Sequence, residues 1–405
     1  MADGSSGINK DAAEKVLAQI NDQEVTEFLQ GLVRIPSVNP PGDVRDGMKY
    51  CADKLAEVGF EIEYITQEEE KPNLLASKSD GDGPTLLFNA HIDVVPTGDE
   101  NNWTHPPFGA EIHDGKVYGR GAGDDKASVT AQVMAAVALA RSGVPIKGKL
   151  IINEVADEEV GGALGAQLCA QDPRVEPDFV IVGEQTLNRV CLGEKGGAGC
   201  TVTVYGRAAH GALPWEGVNA IDGMGRIITA IQDELQPRLA ERTHPLFQPS
   251  SCTVSMISGG VKTNVVPDKC EIYVDRRIVP GEKPEDVRAE IEEIAEKAIA
   301  GMKGMRVEVA LGARGGREAH FCDENDPLPQ AMLEANKFLG FNAEPTGFSM
   351  GTDGRHFVAQ GYPAIVYGPG DPSLAHQPDE WVGVDEVVDA TKAYALAAVS
   401  LLTKD

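Results

Sequence analysis

The chain has 405 residues, of which 42% are hydrophobic and 24% charged. At about 150 residues per domain this is two or three domains, with enough core to fold without disulfide or metal staples. Acidic residues outnumber basic ones 63 to 36, and the net charge of −27 argues against nucleic acid and anionic membranes as partners, because both would be repelled. A small anionic substrate is compatible with this field, since a local basic pocket can override it.

No run of about 18 apolar residues predicts a membrane span. The polar, Gly/Ser-rich stretch from Met1 to Lys10 lacks the basic and apolar parts of a signal peptide. Seven scattered cysteines without a CxxC pattern are read as free, buried thiols in a reducing compartment, and a cytoplasmic location is expected.

Residues 11–34 carry apolar side chains at helical spacing (Val16, Ile20, Val25, Phe28, Leu29, Leu32), and 45–58 repeat this up to Gly59. Strand-like runs follow at Glu61–Ile65, Leu86–Ala90, Leu150–Val155 and Phe179–Val182, with a helical stretch at Ala127–Arg141 among them. Strands separated by helices predict a parallel or mixed sheet covered on both faces. The middle of the chain differs. Strand Gly199–Gly206, helix Asn219–Glu234, strands Ser251–Ile257 and Lys269–Arg276, helix Glu285–Ala300 and strand Met305–Leu311 give β-α-β-β-α-β, the ferredoxin-like order. Helix 327–338, strand Ala364–Tyr367 and helix 385–402 resume the first pattern. The expected fold class is therefore α/β. Residues 1–190 and 313–405 form a domain with a mixed sheet flanked by helices, and an α+β ferredoxin-like domain is inserted at 191–312.

Several of these strands run into residues that carry chemistry. Leu86–Ala90 leads into His91-Ile92-Asp93. Residues two apart on a strand share a face, so Asp93 can reach the neighbourhood of the His91 ring and fix which nitrogen faces a metal. Gly121-Ala122-Gly123-Asp124-Asp125-Lys126 places two carboxylates at a helix start, where the dipole tolerates them and a metal would favour them more. A dinucleotide reading of this glycine loop fails, because Asp124 would face a pyrophosphate. Leu150–Val155 leads to Asp157-Glu158-Glu159, and Phe179–Val182 to Gly183-Glu184; His376 follows a Gly/Pro loop. Each segment alone reads equally as a solvated loop. Together they place acids and histidines at strand ends, where open α/β sheets bind ligands. Two histidines with three carboxylates form the ligand set of a two-metal hydrolase.

In the order and spacing of these five segments, the chain resembles the dinuclear zinc amidohydrolase family. That family contains acetylornithine deacetylase, succinyl-diaminopimelate desuccinylase, aminoacylase and carboxypeptidase G. The resemblance implies a zinc-peptidase-like catalytic domain in which His91, Asp124 and Glu184 hold one Zn²⁺, and Asp124, Glu159 and His376 hold the other. Co²⁺ or Mn²⁺ are possible substitutes. It implies Glu158 as general base toward a metal-bridging hydroxide, Asp93 as the acid that orients His91, and a cis peptide at Asp124–Asp125. It further implies that the inserted domain is a lid that forms a homodimer and supplies His210 to the partner subunit's active site as an oxyanion donor. Lys195, Asn264, Arg277 and the segment Gly351, Thr352, Arg355 match positions that bind substrate. Lys195 stands where several members carry arginine, and it offers a point charge in place of a bidentate clamp.

The expected activity is hydrolysis of the amide bond of a small N-acyl amino acid, with a carboxypeptidase or dipeptidase of the same family as the alternative. A non-catalytic relative that kept the fold is disfavoured by the intact ligands and Glu158. A serine hydrolase is disfavoured as well: Gly347-Phe348-Ser349-Met350-Gly351 is a literal G-x-S-x-G, but no apolar strand precedes Ser349. His105, His113, His244, His320 and His356 are read as surface or packing residues.

Overall fold

The computed structural model describes residues 7–312 and 315–403. The chain divides into two compact units. One runs up to Gly193 and takes in Phe321–Phe348 and the chain from Thr352 onward; the other comprises Glu194–His320 with Ser349–Gly351.

The first unit is built on a mixed sheet whose strands lie in the order Glu61–Ile65, Asn73–Ser79, Lys149–Val155, Thr85–His91, Phe179–Gly183, Ala364–Tyr367 and Cys191–Glu194. The first three pair antiparallel. Lys149–Val155, Thr85–His91, Phe179–Gly183 and Ala364–Tyr367 then run parallel. Leu86, Leu87, Phe88, Leu150, Ile151, Ile152, Val180 and Ile181 are all buried. Their unbroken apolar runs, rather than alternation, reflect a parallel sheet covered on both faces. Helices Lys126–Ser142 and Val384–Leu402 pack on each other and are buried over most of their circumference. Both are alanine-rich, which lets backbones approach closely without a polar stripe. Gly143 ends the first of them at φ 67°, a left-handed cap that suits glycine.

The single helical stretch expected over 11–34 is two helices, Lys10–Leu17 and Asp22–Val33. The break has a local cause: the Asn21 side chain accepts from the Glu24 N–H at 2.9 Å and caps a new helix start. Strand Asn73–Ser79 was not expected. Neither was a small antiparallel sheet of Glu111–His113, Lys116–Tyr118 and Trp381–Gly383, whose three-residue strands are too short to show a period.

The second unit carries an antiparallel sheet in the order Ser251–Gly259, Lys269–Ile278, Cys200–Tyr205 and Arg306–Leu311. Helices Ala220–Ala230 and Pro284–Ile299 supply Met224, Ile227, Ile291 and Ile294 to a core shared with Val202, Val204, Ile272 and Val274. This is the β-α-β-β-α-β order with its ferredoxin-like strand arrangement. The first helix does not stop near Glu234. It passes through a π turn at Ile231–Leu235 and continues as Gln236–Ala240. The wider turn accommodates Pro237, which has no N–H to give. All seven cysteines are unpaired and buried. No helix among the described residues is long and apolar enough to cross a membrane.

Candidate active site

The parallel strands deliver the site. Thr85–His91 ends on His91; Phe179–Gly183 is followed at once by Glu184; and Lys149–Val155 leads into a short turn, Glu158–Val160. Because these strands are parallel neighbours, their carboxyl ends share one edge of the sheet. Asp124 lies just before helix Lys126–Ser142, with a cis peptide to Asp125, and His376 stands in the loop beyond Ala364–Tyr367.

Ligand atoms of His91, Asp124 and Glu184 lie within 4.8 Å of one another, as do those of Asp124, Glu159 and His376. Asp124 is the shared member and turns one oxygen to each ring: Oδ1 is 3.2 Å from His91 Nε2, and Oδ2 is 3.2 Å from His376 Nε2. Glu159 Oε2 is also 3.2 Å from His376 Nε2. The His91 tautomer is set from behind. Its Nδ1 is 2.9 Å from the Asp93 main-chain carbonyl, which can only accept, so Nδ1 carries the proton and Nε2 presents its lone pair inward.

Burial opposes charge on this crowd of acids. It pushes Asp125 up to about 8, and Glu158 likewise to about 8 with Asp353 adding to the effect. Glu154 and Glu184 are driven well above the usual carboxylate range by burial, with neighbouring acids contributing. For Asp124 burial is outweighed by hydrogen bonds from His376 and His91, which hold it far below that range. The same contacts, with Asp124 and Glu159, raise His376 to about 10. Buried carboxylates that repel one another, converging with two imidazoles, fit a pair of divalent cations: positive charge is what the site lacks, and the nitrogen and oxygen donors suit Zn²⁺, Co²⁺ or Mn²⁺.

The Asp93 carboxylate stands beside the His91 ring, as expected of it, and also serves a second neighbour. Its Oδ1 is 3.7 Å from His91 Nδ1, beyond hydrogen-bond reach, and the main-chain carbonyl makes that contact instead. The carboxylate accepts from Asn39 Nδ2 at 2.8 Å and from the N–H groups of Glu158 and Glu159 at 3.2 and 3.3 Å. It therefore fixes the turn that carries both acids. Glu380 does the same for Asp124. It is buried, accepts from the N–H groups of Gly123 and Asp124 at 2.9 Å each, and pairs with buried Arg120 at 2.5 Å. Sequence reading did not assign Glu380 a role, because its contacts are to backbone N–H groups and to Arg120, 260 residues away, and leave no spacing pattern.

Of the expected substrate residues, Arg355 stands beside the base: its Nη1 lies 3.5 Å from Glu158 Oε1 and donates to the buried Thr352 carbonyl at 2.9 Å. The second unit holds His210, Asn264, Lys195, Arg277 and Gly351. His210 and Asn264 are brought together there: His210 bridges to Val265, and the Gly211 N–H donates to the Asn264 carbonyl at 2.8 Å. The Ala212 N–H donates to His210 Nδ1 at 3.1 Å, which leaves Nε2 as the protonated nitrogen of the neutral ring. Lys195 Nζ donates to the Pro249 carbonyl at 2.8 Å; burial, with the Arg277 charge, lowers its pKa. Gly351 lies against the Arg317 guanidinium, which a Cβ would meet at 1.7 Å. Ser349 is exposed at the end of a three-residue strand and does not stand on the sharp strand-to-helix turn that a serine nucleophile requires.

Residues 87–400 match peptidase family M20/M25/M40. The chain belongs to this family. It is a metal-dependent hydrolase acting on amide bonds. It is similar to a succinyl-diaminopimelate desuccinylase of Caulobacter sp. (strain K31), with 32% identity over 374 residues that cover 90% of this chain and 92% of that protein. Among solved structures, aminopeptidase PepT from Bacillus cereus shares its fold with a TM-score of 0.75 and 20% identity, over 95% of this chain and 100% of that one. A protein of Bacillus subtilis described as a dinuclear metal binding peptidase from the M20 family superposes with a TM-score of 0.72 at 18% identity, covering 95% and 99% of the two chains. The fold of this M20 chain is thus the mixed α/β fold expected from its sequence.

Proposed function

We propose that this M20 chain is an N-acyl amino acid deacylase, similar in reaction to the desuccinylases, with two Zn²⁺ ions per subunit. His91, Asp124 and Glu184 hold one ion, Asp124, Glu159 and His376 the other. The observation that carries the reading is the Asp124 carboxylate turned at equal distance to two histidines from opposite ends of the chain, in a protein one-third identical to a desuccinylase over nearly its whole length. When bound, the ions supply Lewis acidity for the amide carbonyl and lower the pKa of a water.

The chain's own groups do the rest. Glu158, held by Asp93 through its N–H and flanked by Arg355, takes the proton of the attacking water and returns it to the amine nitrogen as the C–N bond breaks. His210, protonated at Nε2, reaches from one subunit into the active site of the other, where it donates to the oxygen that becomes anionic. By the resemblance, Lys195, Asn264, Arg277, Gly351, Thr352 and Arg355 are assigned to substrate binding.

The second unit forms the homodimer contact in this reading. Its edge strand Ser251–Gly259 exposes Met256 and Ile257 by 69% and 62%, and Val261 beyond it by 84%, an apolar edge that a second copy would cover. The seven buried thiols agree with a cytoplasmic location.

The test is a panel of N-succinyl, N-acetyl and aromatic N-acyl amino acids and of dipeptides, assayed with Zn²⁺, Co²⁺ or Mn²⁺, together with metal content per chain. Preference for N-acyl amino acids supports the reading. Preference for dipeptides establishes the carboxypeptidase or dipeptidase alternative, and turnover unaffected by chelation overturns both.

A further inference from the structure

A second group of metal-binding side chains lies apart from the dinuclear residues, on the small sheet of the first unit. Glu111 and His113 are two apart on strand Glu111–His113 and so share a face. The loop before the strand brings in His105. Glu111 Oε2 lies 3.0 Å from His105 Nδ1 and 3.1 Å from His113 Nε2. The His105 ring, the more buried of the two imidazoles, lies tilted against both His113, at 4.3 Å, and Tyr118, at 4.2 Å. The sheet thus fixes the inner ring, while His113, 51% exposed at its side chain, can turn to aim its lone pair. The two rings hold the Glu111 carboxyl below its usual range.

We propose that His105, Glu111 and His113 form a third cation site, which takes one borderline transition-metal ion such as Zn²⁺ or Cu²⁺. Two imidazoles and one carboxylate are a recognised donor set for Zn²⁺, with the remaining positions open to water. Cu²⁺ binds such nitrogen donors more tightly still, whereas Mg²⁺ and Ca²⁺, which want oxygen ligands, do not compete. The chain as a whole carries a net charge of −27, which concentrates cations around it. The site is also linked to the loop of His376. Asp379 Oδ1 accepts from the N–H groups of Thr104 and His105 at 2.7 and 3.1 Å, so an ion on His105 stiffens a strap that ends three residues from His376. The inference does not depend on which amide the enzyme cleaves.

The experiment uses the purified full chain with its resident metals. The protein is dialysed against micromolar Zn²⁺ alone, and metal per chain is measured by plasma mass spectrometry for the wild type, His113→Ala, Glu111→Gln and Asp124→Asn. The wild type is expected to hold one Zn²⁺ more than either His113→Ala or Glu111→Gln, and both variants keep their amide hydrolysis. Asp124→Asn is expected to retain the extra ion while losing the dinuclear pair, so failure of one site is distinguishable from failure of the other. Added Cu²⁺ should show nitrogen-coupled paramagnetic resonance that His113→Ala loses, and Ca²⁺ should add nothing. Equal Zn²⁺ content in the wild type and both site variants, or a Cu²⁺ signal unchanged by His113→Ala, overturns the proposal.

Discussion

Replacing Asp93 by Asn separates two roles that a carboxylate near a metal-binding histidine can play. In the structure the fully buried carboxylate receives three N–H groups, from Asn39, Glu158 and Glu159, while His91 leans on the Asp93 carbonyl, which the substitution leaves in place. An asparagine keeps one oxygen and turns an NH₂ toward donors. One charge-assisted bond is lost outright and the others become neutral. At about 1.5–3 kcal/mol for a bond to a charged group and about half that for a neutral one, one bond lost and two halved amount to roughly 3–6 kcal/mol. It falls on the turn that holds Glu158 and Glu159. A displacement of that turn by about 1 Å is expected to lower kcat by about 10²-fold. His91 keeps its tautomer, so the metal bound by His91, Asp124 and Glu184 is retained. The assay is kcat and KM on an N-acyl amino acid alongside metal content and denaturant unfolding of the same preparations. If Asp93→Asn instead loses metal in proportion to activity, and excess Zn²⁺ restores both, then Asp93 acts through His91 and the argument from its N–H contacts is wrong.

Glu158→Gln is expected to keep both metals and lower kcat by about 10²–10⁴-fold, the range for loss of a positioned acid–base group; near-wild-type turnover would remove Glu158 from the mechanism. His210→Ala should lower kcat by about 10²–10³-fold with little change in KM, as for a donor used chiefly in the transition state, and an effect confined to KM would make it a binding residue. Far from the site, Glu24 joins three helices through Arg141, at 2.7 and 2.9 Å, and Lys54, at 2.6 Å. The Arg141 hydrogen bonds, with help from Lys54, hold its carboxyl down at about 2 against 4.5 unperturbed. A lowered native pKa stabilises the fold above the unfolded value and loses that contribution as pH falls through the native one. After allowance for partial exposure, Glu24→Gln should cost about 1–2 kcal/mol at pH 7, and the gap from wild type should close between pH 4.5 and 2 in denaturant titrations. A gap independent of pH would show that packing, not charge, is at work.

What the sequence made legible follows from how each element is buried. Thr85–His91, Lys149–Val155 and Phe179–Gly183 are covered on both faces, so their side chains are uniformly apolar and the polar residue at each end stands out. That contrast marked the segments of His91, Glu158-Glu159 and Glu184 before any coordinates, and the family resemblance supplied the individual ligands, including Asp124 and His376 in their loops. Asn73–Ser79 was missed because it is buried only through Ala76, and Ser77-Lys78-Ser79 reads as loop. The small sheet was missed because three residues carry no period, and with it the meeting of Glu111 with His105 and His113, two histidines read as surface or packing residues. The contacts of Asp93 and Glu380 were beyond reach for another reason. They end on backbone N–H groups, which every residue has, so nothing in the side-chain pattern marks them.

The shared carboxylate has a consequence for the order in which the protein matures. Asp124 meets its first imidazole from a strand encoded nearby, but its second belongs to a segment made only after the whole ferredoxin-like unit. A growing polypeptide on the ribosome can therefore bring together at most four of the five candidate ligands, and His376 joins them only once Ala364–Tyr367 has docked beside Phe179–Gly183. Uptake of the second ion would then time-stamp the last step of folding, and a radioactive or fluorescent metal could be used to watch it.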